Sequence, residues 1–345
     1  MNGRSSSACC EMAAFCGRNF LWTQGGGGNV SCIDGDTLRI KRSGLRLRDM
    51  RTPEDLVPLP VGAVRELFFS NAPDMDERLE RLAPSVMGGP SVMGAPSVEA
   101  FFHALLGPWT AHAHLVSATA LVSRSAAPDA LVERLSKELG VFCTWIPYAS
   151  PGSALAREVH AKLPAAVPAL GVLLLRNHGA VVWGPEPEVV KARFDQLDVA
   201  SRALLGAPGL PVIGPAPLQA GAFDPAGTEL SGPLVSDGTG SLDSPQGRAA
   251  VAALRAPWTP DAALHFGHGL EPVEGALPAL GRLFLRDQRL FYACARPDFL
   301  ENATEILSAQ LTAWHWNDGD LSCLTPEQTD GLLRWGAGKY GTVAK

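Results

Sequence analysis

Nothing in this chain suggests disulfide stapling. Its seven cysteines are odd in number and no Cys-x-x-Cys occurs, so a reduced compartment suits them. The longest aliphatic run falls far short of the roughly 20 residues that a membrane span needs. Met1-Asn-Gly-Arg-Ser-Ser-Ser-Ala-Cys-Cys-Glu lacks the apolar core of a signal peptide, so a cytoplasmic location with no membrane partner is expected. Basic residues are in deficit: 29 Lys and Arg stand against 35 Asp and Glu, a net charge of −6, which argues against a nucleic-acid binder. Nucleotide-binding fingerprints are missing too. The run Gly25-Gly26-Gly27-Gly28 lacks Gly-x-Gly-x-x-Gly spacing, and no Gly-x-x-x-x-Gly-Lys-Ser/Thr is present. What remains is a globular composition, 46% hydrophobic and 19% charged, in a chain of 345 residues with room for more than one domain.

Three of the eight histidines are placed for chemistry. Trp109-Thr-Ala-His112-Ala-His114-Leu-Val reads as a strand, and alternate strand residues share a face, so the two imidazoles lie side by side roughly 6.5–7 Å apart at Cα. His178 follows the apolar run Gly171-Val-Leu-Leu-Leu, which fits a buried strand, and Ala180-Val-Val-Trp183 folds back from it with His178 at the reversal. Three imidazoles with a fourth position open are the donor set of a catalytic zinc site; surface or hydrogen-bonded histidines are the plain alternative. In Pro96-Ser97-Val98-Glu99-Ala-Phe-Phe-His103, Ser97 is placed to cap a helix over 97–106, which puts Glu99 in its first turn. A carboxylate there is either a dipole-favoured capping group or a general base facing the metal.

Gln24-Gly25-Gly26-Gly27-Gly28-Asn29-Val30-Ser31 and the later Ser43-Gly44 read as a backbone nest for an anion or as flexible loops. The basic stretch Arg39 to Arg51 reads as a solvated strand and loop, or as a funnel for anionic substrate. Further strands are expected at 29–33 and 37–42, and helices over Glu11 to Phe20, 128–139, 152–162 and 186–204. Alternating strands and helices predict an α/β layered fold. Pro84-Ser-Val-Met-Gly-Gly and Pro90-Ser-Val-Met-Gly-Ala duplicate the start of Pro96-Ser97-Val98, a loop lengthening that costs little entropy, or a flap over the cleft. Residues 206–257 read as a Gly/Pro-rich connection, and 258–345 as a small α+β unit with a hairpin near Tyr292 and helices from Phe299 and Thr325. His265 and His268, taken in a strand-like context, point to opposite faces.

Gly28-Asn29-Val30-Ser31, Lys41-Arg42-Ser43-Gly44, Pro96-Ser97-Val98-Glu99 with His103, Ala-His112-Ala-His114, Ile146-Pro147-Tyr148 with Pro151-Gly152, and Arg176-Asn177-His178-Gly179 with Trp183-Gly184 occur in one order. In that order they resemble the class II aldolase/adducin family over about residues 9–205. Trp258-Thr-Pro-Asp261 and Leu333-Arg-Trp335-Gly-Ala-Gly-Lys-Tyr340 are similar to a longer branch, related to the aldolase half of bifunctional rhamnulose-phosphate aldolase/dehydrogenases. The resemblance implies a central β-sheet flanked by helices and a homo-oligomer. It implies zinc, or another divalent transition metal, on His112, His114 and His178, with Glu99 as acid/base. It also implies a phosphate pocket of Gly28, Asn29, Ser43, Gly44 and Ser97. The implied activity is cleavage or formation of a C–C bond in a small phosphorylated ketose through an enediolate. Epimerases and decarboxylases share that scaffold, and adducin-like members are binding modules. Two departures stand out: Val98 replaces a second serine, and no tyrosine lies between Leu115 and Phe142. The proton donor is therefore expected elsewhere, with Tyr148 and Tyr340 as candidates.

Overall fold

The computed structural model describes residues 2–83, 94–207, 219–231, 245–272, 280–287 and 289–340, so the two duplicated copies starting at Pro84 and Pro90 fall almost wholly outside the described residues. The chain divides into two compact units, Met1–Val122 with Pro128–Leu204, and Ser123–Ala127 with Leu205–Lys345.

The first unit is a mixed α/β layer built on seven strands. They are β1 (Asn29–Asp34), β2 (Thr37–Lys41), β3 (Leu56–Pro60), β4 (Trp109–Ala113), β5 (Phe142–Ile146), β6 (Gly171–Leu175) and β7 (Gly179–Gly184), in the spatial order β3-β2-β1-β4-β7-β6-β5. Only β5 and β6 run parallel; the other pairs are antiparallel. Helices α1 (Asn2–Cys16), α2 (Val61–Ser70), α3 (Met75–Arg81), α4 (Ala100–Leu105), α5 (Val116–Val122), α6 (Asp129–Leu139), α7 (Ser153–Lys162) and α8 (Pro187–Leu205) surround the sheet.

Local chemistry explains most of these elements. β1 and β2 close over Gly35-Asp36, with Gly35 at φ +59, the left-handed backbone that a two-residue hairpin turn demands. β6 and β7 are buried at every position, as expected for central strands covered on both faces. They form the expected hairpin: Leu175 pairs with Gly179, Asn177 takes φ +58, and His178 N–H donates to the Leu175 carbonyl at 3.1 Å. Behind the sheet, buried Asp198 of α8 accepts from Trp22 Nε1 at 3.0 Å, Ser117 Oγ at 2.7 Å and Arg202 Nη2 at 2.8 Å, which ties α5 and α8 to the segment after α1.

Several elements escape the sequence reading. β3, Leu-Val-Pro-Leu-Pro, carries two prolines, which its place at the sheet edge tolerates. α5 is buried at all seven positions, so it shows no polar face and no helical period. β5 is a parallel edge strand whose residues are half-buried except Ile146, without alternation.

At Gly171, the first residue of β6, a Cβ would sit 2.3 Å from Trp183 Cζ2, and that ring is fully buried with its Nε1 donating to the Pro168 carbonyl at 2.7 Å. The indole cannot retreat without losing this bond. Gly171→Ala is expected to destabilise the fold by about 1–3 kcal/mol. A urea midpoint equal to that of the unaltered protein would disprove the clash.

The second unit holds a five-stranded sheet. Its strands are β8 (Gln219–Ala220), β9 (Thr228–Ser231), β10 (Leu270–Pro272), β11 (Arg282–Arg286) and β12 (Arg289–Ala293), in the order β10-β11-β12-β9-β8. Helices α9 (Pro245–Ala253), α10 (Pro260–Phe266), α11 (Pro297–Trp316) and α12 (Pro326–Tyr340) complete it. Leu300, Ala303, Ile306, Leu307 and Leu311 of α11 pack with Leu283, Leu290 and Tyr292. Where the sequence reads as connection, β9 pairs with β12; four residues among glycine, proline and aspartate are too few to show alternation. His265 also departs from its strand-like reading: it lies in helix α10, its Nδ1 donating to the Asp261 carbonyl at 3.0 Å, while His268 pairs with Asp330 at 3.0 Å. The two histidines have separate partners.

Candidate metal centre

β4 is the axis of the site. His112 is its fourth residue and His114 follows its end, on the same side of the strand. β7 pairs alongside, with His112 opposite Val181, which brings the hairpin reversal carrying His178 next to both. The three rings form a nearly equilateral triangle, with centroids 5.1, 4.9 and 5.0 Å apart. One ligand nitrogen from each lies within 4.8 Å of the other two, and all three residues are buried. Among the described residues no other group of His, Cys, Asp and Glu meets this geometry.

Glycines make the convergence possible. Gly28, at φ +68, precedes β1, and a Cβ there would meet the His112 carbonyl oxygen at 2.7 Å. Gly179 opens β7 on the other side, where a Cβ would meet the Ala113 carbonyl oxygen at 2.4 Å and His112 Cε1 at 2.9 Å. β4 is therefore clasped by two neighbours that approach closely because neither has a side chain at the contact.

Hydrogen bonds orient the rings. His112 Nδ1 donates to the Ala180 carbonyl at 3.0 Å, so in the neutral ring the lone pair lies on Nε2. Gly28 N–H donates to His114 Nε2 at 3.3 Å. Glu99 Oε2 is 3.5 Å from His112 Nε2, and its Oε1 is 3.6 Å from His178 Nε2. The glutamate precedes the first residue of α4 instead of sitting inside its first turn, and its side chain caps no helix amide. The turn at 98–99, with Ser97 Oγ accepting from Glu99 N at 3.4 Å, sets the helix start later than the sequence places it. Freed from capping, the carboxylate faces the histidines. Burial by itself would raise its pKa, but the His112 and His178 rings, the Asn29 amide and His114 outweigh this and lower it to about 2. It stands ionised throughout the ordinary pH range.

Asn29, the first residue of β1, donates to Glu99 Oε2 at 2.6 Å and to Ser97 Oγ at 3.0 Å. Two residues on, Ser31 Oγ and His103 Nδ1 share a hydrogen bond of 2.7 Å. Ser43 and Ser97 lie on neighbouring segments: Ser43 N–H donates to the Ala95 carbonyl at 2.8 Å, and Ser97 N–H to the Lys41 carbonyl at 3.1 Å. Gly44, at φ +83, is exposed. Gly26 reaches the same loop, since a Cβ on it would stand 3.8 Å from the Gly44 carbonyl oxygen.

Residues 9–205 match the family described as Class II Aldolase and Adducin N-terminal domain. The chain belongs to that family. No curated protein matches it. Among solved structures it is similar to the N-terminal class II aldolase domain of a conserved protein from Thermoplasma acidophilum, at 20% identity and TM-score 0.48, over 57% of this chain and 92% of that one. It is also similar to the L-fuculose-1-phosphate aldolase of Thermus thermophilus, at 22% identity and TM-score 0.40, over 60% of this chain and 95% of that one. An aldolase II superfamily protein from Pseudomonas syringae matches at 15% identity and TM-score 0.42, over 60% of this chain and 76% of that one.

For a class II aldolase family member the donor set fits a divalent metal: three buried imidazoles at ligand spacing, with an ionised carboxylate beside two of them. Lys41 and Ser31 belong to motifs the sequence reading quotes, but the contacts each makes are legible only in the structure. Lys41, part of the stretch that reads as solvated, is 3% exposed, and its Nζ donates to the Gly26 carbonyl at 2.9 Å and the Leu45 carbonyl at 2.5 Å, stapling the two glycine-bearing loops. Of the two tyrosines, burial pushes the Tyr148 phenol up to about 12, so it stays protonated, and the Tyr340 side chain lies outside the described residues. No helix among the described residues is long and apolar enough to cross a membrane.

Proposed function

We propose that this protein is a zinc-dependent aldolase that cleaves or forms a C–C bond in a small phosphorylated ketose. The observation that carries the reading is the convergence of His112, His114 and His178 with the Glu99 carboxylate 3.5 and 3.6 Å from two of the rings. His112, His114 and His178 would hold the zinc, leaving a fourth position open to substrate. When bound, the metal supplies a Lewis acid for the ketose carbonyl and the charge that develops on it.

The chain's own groups do the rest. The Glu99 carboxylate carries a proton to and from the carbon that loses its C–C bond. Asn29 holds that carboxylate through one amide, so it meets the substrate in a fixed orientation. Gly28, Asn29, Ser43, Gly44 and Ser97 bind the phosphate, on loops that Lys41 fastens together. Three histidines and a buried glutamate are retained, which disfavours a binding module that has lost its metal. The active unit is a homo-oligomer in which a group from a neighbouring chain, or Tyr148 or Tyr340, takes the proton from the hydroxyl that becomes the aldehyde on cleavage and returns it to the aldehyde oxygen when the C–C bond forms.

Metal analysis followed by a screen of phosphorylated ketoses tests the reading. About one zinc per chain and release of an aldehyde are expected. Metal-free protein after purification in zinc overturns it. A product that keeps all its carbons, or one that loses carbon dioxide, would assign epimerase or decarboxylase chemistry instead.

A further inference from the structure

β1 carries no metal ligand, yet one face of it grips α4 at two points. Asn29 and Ser31 are two residues apart on the strand and project to the same side, about 6.7 Å apart along it. Glu99 and His103 are four residues apart, about 6 Å along a helix axis. The two spacings match, and each strand residue meets one helix residue: Asn29 Nδ2 with Glu99 Oε2 at 2.6 Å, and Ser31 Oγ with His103 Nδ1 at 2.7 Å. The backbone closes the frame, because His103 N–H donates to the Glu99 carbonyl at 3.4 Å.

All four side chains are buried, with His103 fully so and Ser31 1% exposed. The other ring nitrogen of His103, Nε2, takes no hydrogen bond among the described residues, so the Ser31 hydroxyl is the ring's polar tie. A buried imidazole with one nitrogen unpartnered carries a desolvation cost, so the bond to Ser31 is the contact that holds the ring's orientation. Burial holds this ring's pKa down to about 3, which keeps it neutral beside an ionised glutamate.

We propose that Ser31 and His103 are a positioning pair for Glu99: the lower of two rungs that fix the rotation and depth of α4, and so aim the carboxylate at the three histidines. Asn29 alone is one rung, about which the helix start can pivot. With both rungs, the turn carrying Glu99 is held at its beginning and one turn later. The inference rests on the aldolase reading for its kinetic consequence, although the latch itself is a property of the fold.

The test uses the full chain loaded with zinc and three substitutions. Ser31→Ala removes the hydroxyl, His103→Phe keeps a ring without Nδ1, and His103→Asn keeps a side-chain polar atom near the Nδ1 position. Ser31→Ala and His103→Phe are expected to lower kcat roughly 10- to 100-fold, with zinc still near one per chain and KM within about twofold. His103→Asn should stay close to the unaltered protein. Amide hydrogen exchange at His103, measured without metal or substrate, should quicken in the first two variants and not in the third. Unchanged exchange at this amide, or full kcat in Ser31→Ala, overturns the proposal. So does an equal loss in His103→Asn and His103→Phe, and that comparison decides alone if Ser31→Ala does not fold. Should the unaltered protein turn over no phosphorylated ketose, the aldolase reading fails, and the exchange arm still decides the latch.

Discussion

Glu99→Gln is expected to cut turnover by about 100- to 10,000-fold while zinc stays near one per chain. The substitution keeps the shape of a side chain that is 4% exposed and held by Asn29, whose Nδ2 donates to Oε2 at 2.6 Å. A glutamine can present its carbonyl oxygen to that donor, so the hydrogen bond survives and only the charge and the proton-accepting oxygen are lost. The histidine triangle does not depend on Glu99 for its placement, since β4 and the β6–β7 hairpin supply all three rings. Metal content and turnover should therefore separate. Turnover within a few fold of the unaltered protein would reduce Glu99 to a structural carboxylate. Loss of zinc along with activity would instead make it a ligand.

The second large effect is on stability. Zinc that binds the folded triad, and the unfolded chain much less, stabilises the protein by about 4 kcal/mol at a free concentration roughly 1,000 times Kd. Chelation should remove that increment and lower the thermal midpoint. His178→Ala should lack it from the start, because two imidazoles on one strand leave the ion without its third donor. The comparison to make is the midpoint with and without zinc in both proteins. If zinc shifts the variant as much as the unaltered protein, the ion binds elsewhere and the triad is not its site.

Much of this site was legible because its residues obey simple periods. His112 lies in a strand and His114 one residue past its end, and the two-residue strand repeat sets their rings together. His178 is readable because a buried apolar run ends three residues before it, at Leu175, and Gly179 opens the return strand. The sequence starts the helix too early and so puts Glu99 inside its first turn, whereas Ser97 engages the amide of Glu99 before the helix has begun. Lys41 misleads because a run of basic residues looks alike whether it is solvated or, as for this one ammonium, wrapped by the carbonyls of two loops. Ser31 reads only as part of the Gly28–Ser31 loop, and nothing in the sequence signals its bond to His103. Its partner lies 72 residues away, and a serine in a strand has no spacing that distinguishes an anchor from a filler. The same limit hid β3 and α5, whose prolines and uniform burial erase the patterns on which such reading depends.

The clasp of β4 between Gly28 and Gly179 also sets an order of events during folding. His112 and the Ala180 carbonyl that orients it are 68 residues apart in the chain, so the triad has no local precursor in the unfolded state. The hairpin of β6 and β7 can zip early from its own short turn, but His178 finds the other two histidines only when β4 docks against β7, a step that must first close a long loop. Zinc added to a refolding chain should consequently be captured in the same kinetic phase in which that strand pair forms, with no earlier uptake. The ion would then serve as a timer for the central strand pairing of the sheet.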